Sequence, residues 1–476
     1  MRYSTLSVLI PVPRSVTENG EKLFFRSLRF FRSFSEKSLA AQEKLVSFFA
    51  YVGNPLSEGG PEEPCQILFQ PDPQLRKEEW KIRITSEKIE IFSGGEPGFS
   101  YAAEALMQML FASLREGPRE AWLDGGEIFD APRFSYRGFM LDPARHFQSV
   151  ATVKKVLSLL AAFRINTFHW HLTDNQAWRL ESAIVPELAG KGTLDGGFYT
   201  KEEVREIVSF AAKNHIGIIP ELDMPGHSGK ILSAHPELAC DSSHPGSEYC
   251  LGNPQSREFI KRLLDEIMEL FPESRIIHLG GDEAETSAWE KCPRCLASLK
   301  EKKLKTMREL ENAFMTDMTR YIVSCGRTPM MWGTCSGQVY PKDTVLQAWL
   351  DIREPLRIAP HGNKVVYSVH TSLYFDYPAS PAEPQESWMF ELTEKGVYMT
   401  DPFILWEKEL ANVMLGPEAC LWTETVPDWR ILPKLLPRLS AYGECAWSEN
   451  SKKDYYDFAR RKAYLEAAGY YEYLRK

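Results

Sequence analysis

Two adjacent acids, Asp282 and Glu283, close the octapeptide Ile276-Ile-His-Leu-Gly-Gly-Asp-Glu283. Ile276, Ile277 and Leu279 carry the signature of a short strand buried on both faces, and Gly280-Gly281 breaks it. Function commonly sits just past the C-terminal end of such a strand, so these carboxylates are the first candidates for chemistry. A solvated acidic turn accounts for the octapeptide alone equally well. Similar residues recur at the ends of other apolar runs. Asp142, Arg145 and His146 follow 139–141, and His169, Trp170, His171, Asp174 and Trp178 lie in or after 165–172. Glu221, Asp223 and His227 end or follow 216–222, while Trp332 and Trp349 close 329–332 and 345–349. His370, Tyr374 and Asp376 follow 365–369, and Trp422 and Glu424 end the last run.

This set suits carbohydrate chemistry. Indole faces pack on the C–H faces of a pyranose, and carboxylates and arginine bind its hydroxyls through charge-assisted hydrogen bonds. Glycoside hydrolysis normally uses two carboxyl groups, one raised in pKa to protonate the leaving oxygen. A metal-dependent hydrolase is the rival, because His169, His171, His227, Asp223 and Asp282 are all ligand types. His169 and His171 would share one strand face, with Trp170 on the other, and a metal leaves the tryptophans unexplained.

The elements that must position these residues alternate strand, loop and helix from Arg137 onward. Ser149 can cap a helix carrying Val153, Val156, Leu157 and Leu160 at 3.6-residue spacing. Thr200 and Glu203 form a capping box for a helix with Val204, Ile207, Val208 and Ala211, and a further helix covers 259–271. Eight strands over about 300 residues predict an α/β fold, a (β/α)8 TIM barrel over 132–450 whose strand ends converge on one mouth. A doubly wound sheet is the alternative, but no Gly-rich phosphate fingerprint follows any strand. Residues 1–131 read as a small α+β domain. Its signals are a hairpin, with Trp80, Ile82 and Ile84 alternating against Ile89 and Ile91, and a helix over 98–110. Phe24, Phe25, Phe30 and Phe31 belong to its core and surface, and Asp124-Gly125-Gly126 and Pro132 punctuate its end. A C-terminal segment, 451–476, holds an aromatic-rich amphipathic helix from Tyr455 to Tyr473, expected to pack on the barrel.

The chain has 476 residues, 43% hydrophobic and 25% charged, with net charge −9. That sign argues against nucleic acid or an anionic membrane as partner. No apolar run approaches the roughly 18 residues that span a bilayer. The apolar stretch 6–13 is short, contains Pro11 and Pro13 and lacks a cleavage site, so it does not read as a signal peptide and a cytoplasmic location is expected. Nine cysteines is an odd number. Cys292-Pro-Arg-Cys295 is a lone CxxC without a second pair at zinc spacing, so neither metal nor cofactor is expected. Cys240 and Cys250 could bridge a loop in an exported protein, but reduced thiols are the favoured reading.

Five stretches, in order, resemble glycoside hydrolase family 20, the β-N-acetylhexosaminidases. They are Arg137-Gly-Phe-Met-Leu-Asp-Pro-Ala-Arg-His-Phe147, Asn166-Thr-Phe-His-Trp-His-Leu-Thr-Asp-Asn-Gln176, Pro220-Glu-Leu-Asp-Met-Pro-Gly-His227, His278-Leu-Gly-Gly-Asp-Glu283 and Ala419-Cys-Leu-Trp-Thr-Glu424. Asn175 and Ala177 depart from the Asp and Gly often found there, and Pro143-Ala144 is unusual before Arg145. The resemblance implies an exo-acting, retaining hydrolase acting on a carbohydrate with a terminal β-linked N-acetylhexosamine. No enzyme nucleophile is implied: the substrate's acetamido oxygen attacks C1 and forms an oxazolinium-type intermediate. Glu283 would be the general acid and then the base, Asp282 would accept the acetamido N–H, and Tyr374 would donate to its oxygen. Trp332, Trp349 and Trp422 would wall the pocket. Arg145, Glu424 and Asp376 would bind hydroxyls, and Asp174 and His227 would bind sugar or support those that do. The 377–411 segment, with Glu386 and Trp388, aligns poorly and would shape a subsite beyond the terminal sugar. A non-catalytic N-acetylhexosamine-binding protein on the same scaffold is the second reading. GlcNAc against GalNAc preference, the aglycone and the oligomeric state, a homodimer included, stay open.

Overall fold

The computed structural model describes the chain except residues 1–3, 61–62, 116, 118–120, 190–195, 334–339, 384, 405 and 476. Its first layer is a mixed sheet of β1 (Ser15–Phe24), β2 (Phe30–Ser33), β3 (Ser57–Glu58), β4 (Ile67–Pro71), β5 (Trp80–Ile84), β6 (Ile89–Ser93) and β7 (Trp122–Asp130). The spatial order is β1-β7-β5-β6-β4-β2-β3. The expected hairpin is the antiparallel β5–β6 pair, with Ile82 opposite Ile91. Its period-2 pattern works as alternation requires: Trp80, Ile82, Ile84, Ile89 and Ile91 are buried, and helix Glu96–Leu114 packs on the sheet. Asp124-Gly125-Gly126 does not end the domain but lies inside β7, where Gly126 pairs with Glu18 and Ile84. A Cβ on Gly126 would stand 2.0 Å from the Thr17 carbonyl oxygen, so glycine here permits strand contact, not a turn.

Eight parallel strands then close into a barrel: β8 (Gly138–Leu141), β9 (Thr167–His171), β10 (Gly217–Met224), β11 (Ile276–Gly280), β12 (Thr328–Trp332), β13 (Val345–Ala348), β14 (Val365–Tyr367) and β15 (Met414–Leu421). β15 returns to β8, with Ala419 opposite Phe139. β15 starts at Met414, well before the apolar run 420–422 that suggested it, and Gly416 and Pro417 pair with β14 inside it. Helices follow most strands; two begin at the expected caps, while the helix expected over 259–271 starts earlier, at Pro254, behind an Asn253 cap. Ser149 Oγ accepts from Thr152 N–H at the start of Val150–Ala162, and Thr200 and Glu203 complete a capping box on Lys201–Lys213.

The C-terminal aromatic stretch is two helices, Tyr455–Ala467 and Tyr470–Arg475, interrupted at Gly469. They sit in the seam between the two layers, not on the barrel alone. The Arg461 guanidinium donates to Glu444 of helix Ile431–Trp447 at 2.8 and 3.0 Å, and the Tyr470 hydroxyl donates to Glu104 of Glu96–Leu114 at 2.7 Å. No helix among the described residues is long and apolar enough to cross a membrane.

Gly280 ends β11 at φ +66° and is followed by Gly281 at +100°, in the left-handed region that favours glycine. A Cβ on Gly280 would fall 1.6 Å from Asp223 Oδ1. Gly280→Ala should therefore cost at least about 2 kcal/mol in chemical denaturation, from overpacking plus backbone strain. The control Gly326→Ala, at φ +74° with nothing within 4 Å, should cost about 1 kcal/mol from strain alone. Equal losses would show that the crossing of β11 and Asp223 is not tight.

Candidate active site

The break at Gly280-Gly281 lets two consecutive acids reach the barrel mouth, which regular strand forbids. Beyond it Glu283 itself takes φ +50°. The neighbours differ in setting. The Asp282 side chain is 12% exposed and the Glu283 side chain 60% exposed. Burial pushes the Asp282 carboxyl up to about 6, against the pull of His227. Its Oδ1 is buried without a hydrogen-bond partner, while Oδ2 lies 3.8 Å from His227 Nε2. A buried acceptor left unpaired at a cavity wall is a costly feature that a ligand donor would relieve.

A lattice of charge holds this corner. The Arg145 guanidinium contacts Asp174 at 2.6 Å and Asp142 at 3.2 Å, and its charge centre lies 5.0 Å from the Trp422 ring. Asp142 also accepts from the Thr423 N–H at 3.1 Å, which ties the ends of β8 and β15 together. His171 Nε2 reaches Asp174 at 3.0 Å, and its Nδ1 bonds Glu221. Burial alone would raise Asp174, yet hydrogen bonds from His171 and His227 and the charge of Arg145 hold it well below the usual carboxylate range. Burial opposes a charge on His227, but Asp223, Asp174 and Asp282 outweigh it and lift the imidazole to about 10. His227 is thus a cation at neutral pH, 3.7 Å from Glu283 Oε2. On the far side burial and the neighbouring Glu424 push Asp376 up to about 8.

Ten of the eleven residues expected at the site line one cavity of about 430 Å³: Arg145, Asp174, His227, Asp282, Glu283, Trp349, Tyr374, Asp376, Trp422 and Glu424. Trp332 is the exception. It is 1% exposed, packs tilted behind Trp422 with ring centroids 5.6 Å apart and donates its indole N–H to Glu221 at 2.9 Å, so it supports the wall without forming its surface. Tyr374 reaches the cavity because the short helix His370–Leu373 returns the chain to bridge Cys420 on β15. Burial keeps the Tyr374 phenol far above its ordinary pKa, hence protonated. Asp223, His171, His370, Tyr377 and the exposed Trp388 also line the cavity. The first three stand at strand ends, and Tyr377 and Trp388 belong to the 377–411 segment, in which Trp388 is singled out for a place beyond the terminal sugar. Asn175, at the place of a common Asp, accepts from the Gly229 N–H at 2.9 Å. A larger hollow of about 770 Å³ lies by the opposite, N-terminal strand ends, near Asn166, Gly217 and Met414, and holds none of these acids.

Two arrangements near the mouth have metal-ligand types within 4.8 Å, His171-Asp174-Asp223 and Asp223-His227-Asp282. In the first, both His171 nitrogens are already engaged by Glu221 and Asp174. In the second, the His227 imidazolium already supplies the positive charge that a cation would. Elsewhere, the CxxC cysteines are not alone: Cys240, Cys250, Cys292 and Cys295 gather in one place, against the reading of an isolated pair. All four are free thiols, with no Cys240–Cys250 bridge.

Residues 134–450 match the family model for the glycosyl hydrolase family 20 catalytic domain. A beta-hexosaminidase of Akkermansia muciniphila is 31% identical over 418 residues, covering 82% of this chain and 83% of that one. A beta-hexosaminidase of Porphyromonas gingivalis is 34% identical over 417 residues, 81% of this chain but only 53% of that longer protein. Among solved structures, the family 20 exo beta-N-acetylglucosaminidase of Vibrio harveyi, crystallised with N-acetylglucosamine, superposes with a TM-score of 0.88 at 28% identity, over 98% of this chain and 78% of that one. The Streptomyces coelicolor beta-N-acetylhexosaminidase does so at 0.85 and 26%, over 98% and 97%. With a closed parallel barrel, acids gathered at its mouth and a family match over most of its length, the chain belongs to glycosyl hydrolase family 20 and is a glycoside hydrolase.

Proposed function

We propose that the chain removes terminal β-linked N-acetylhexosamine by substrate-assisted, retaining catalysis. The observation that carries this reading is Asp282: a buried carboxyl with Oδ1 unpartnered, beside an exposed Glu283, in an indole-walled cavity. A carboxylate that served as nucleophile would need to reach C1. One that accepts an N–H needs a buried oxygen held still, and His227 on Oδ2 leaves Oδ1 to do this.

In this scheme Arg145, Asp376 and Glu424 bind the ring hydroxyls, and Asp174 and His227 hold Arg145 and Asp282 in place. Trp422 and Trp349 enclose the ring and acetamido group, with Trp332 packed behind. Glu283 donates its proton to the glycosidic oxygen as the C1–O bond breaks. The acetamido carbonyl oxygen forms a bond to C1, assisted by the Tyr374 O–H, while Asp282 accepts from the N–H and steadies the positive charge of the oxazolinium ring. Glu283, now a carboxylate, takes a proton from water, which attacks C1 and reopens the ring. Configuration is retained by two inversions. The relatives' names, beta-hexosaminidase and exo beta-N-acetylglucosaminidase, support the substrate class.

Glu283→Gln should lower kcat on an aryl N-acetyl-β-glucosaminide by about 10²–10⁴-fold with the fold intact by circular dichroism. A variant within a few-fold of wild type would remove Glu283 from the chemistry. Asp282 generates a pH prediction. Its carboxyl is raised to about 6 and must be ionised to accept the N–H, so kcat/KM should rise with pH through about 6. Asp282→Asn should lower kcat by about 10²–10³-fold and abolish that acidic limb. A limb that survives in the variant belongs to another group.

A further inference from the structure

Away from the cavity, four cysteines from two consecutive barrel loops converge. Cys240 and Cys250 stand in the loop after β10, and Cys292 and Cys295 lie at the start of helix Pro293–Glu301, after β11. Sγ separations are 3.7 Å for Cys240–Cys295, Cys250–Cys292 and Cys250–Cys295, and all four sulfurs lie within 4.8 Å of one another. Three of the side chains are buried and Cys240 is half-buried. A disulfide needs about 2.05 Å, so these are not bonded pairs. A tetrahedral zinc with Zn–S near 2.3 Å sets its sulfurs about 3.8 Å apart, which the three close edges match. An iron–sulfur cluster would spread its four ligands around its own core.

The surroundings are those of a thiolate site. The Gly252 N–H donates to Cys295 Sγ at 3.4 Å, an outer contact of the kind that stabilises a metal-bound sulfur. Arg294, between the two CxxC cysteines, donates to the Ala239 carbonyl at 2.5 Å and brings positive charge beside four sulfurs whose zinc complex carries a net negative charge. The two loops cross tightly at this point: a Cβ on Gly252 would stand 2.2 Å from the Arg294 carbonyl carbon. The Trp289 indole N–H donates to the Tyr249 carbonyl at 2.9 Å, beside the same crossing. Four thiols alone, each a weak donor and acceptor, give little reason for such a convergence.

We propose that Cys240, Cys250, Cys292 and Cys295 form a structural zinc site that staples the loop after β10 to the segment following Asp282 and Glu283. Four thiolates close the coordination shell, so the ion has no open position for substrate or water. Its effect on hydrolysis is positional: it anchors the far end of the loop whose near end carries Glu283 in a left-handed backbone. It also anchors the segment after β10, which carries His227 near its start.

The test is metal analysis of the full chain, purified under reducing conditions without immobilised metal, beside Cys250→Ser and Cys295→Ser. The wild type should carry about one zinc per chain and both variants almost none. Cobalt exchanged into the wild type should give the intense visible bands of a tetrahedral cobalt–thiolate centre. Chelation should lower Tm and expose four reactive thiols. If the variants fail to fold, the wild-type metal content and cobalt spectrum still decide. A wild-type protein that takes up no zinc from a reducing, zinc-supplemented buffer overturns the proposal. So does one that holds iron in its place, or whose mass shows Cys240–Cys250 and Cys292–Cys295 disulfides.

Discussion

One buried carboxylate, Glu221, organises the barrel beneath Asp282 and Glu283. On β10 it meets His169 at 3.0 Å and His171 from β9, His278 at 2.9 Å from β11, and the Trp332 indole N–H at 2.9 Å from β12. Burial would favour its neutral form, but the surrounding imidazoles, His171 foremost, hold it well below the usual range. An ion of this kind is stable only while its partners are complete; removing one leaves a charge whose exposure to a low dielectric costs about 3–5 kcal/mol. The reward is orientation. Glu221 fixes the His171 ring, the other nitrogen of that ring meets Asp174, and Asp174 in turn holds Arg145 and His227. Asp282 is therefore aimed through a relay of paired charges that begins at the barrel axis.

That relay explains why two neighbouring acids stand in unlike settings. Asp282 lies inward, beside the His227 cation, and keeps one oxygen free in the cavity. On the proposed reading Glu283 lies outward, where an arriving aglycone would cover it. The glycines at 280 and 281 make both orientations available from one strand end. On our reading the loop's distal end is secured by sulfur and zinc as its near end is by Asp223 packed on Gly280.

Much of this was legible from residue types. Buried parallel strands announce themselves as apolar runs, and the polar residue after each run marks the mouth, so Arg145, Asp174, Asp376 and Glu424 could be collected without a structure. Caps at Ser149 and Thr200 were equally plain, because the side chain that starts the helix is local to it. What was hidden depends on long-range placement. Trp332 ends its strand like Trp349, but the register of β12 turns it toward Glu221 and behind Trp422. Gly126 reads as a break, since sequence does not distinguish a glycine that turns the chain from one that lets strands touch. The cysteines are the clearest case: Cys240 and Cys250 have no recognisable metal spacing, and only the adjacency of two barrel loops brings them to Cys292 and Cys295.

The central claim is that the substrate, not the protein, supplies the nucleophile, with Asp282 steadying it. It is tested most directly by kcat/KM across aryl glycosides whose N-acetyl group carries none, one, two or three fluorine atoms. Fluorine drains electron density from the carbonyl oxygen and leaves the leaving group unchanged. The account predicts a steep fall along the series, by orders of magnitude from acetyl to trifluoroacetyl; a flat series would contradict it and point to a nucleophile on the enzyme.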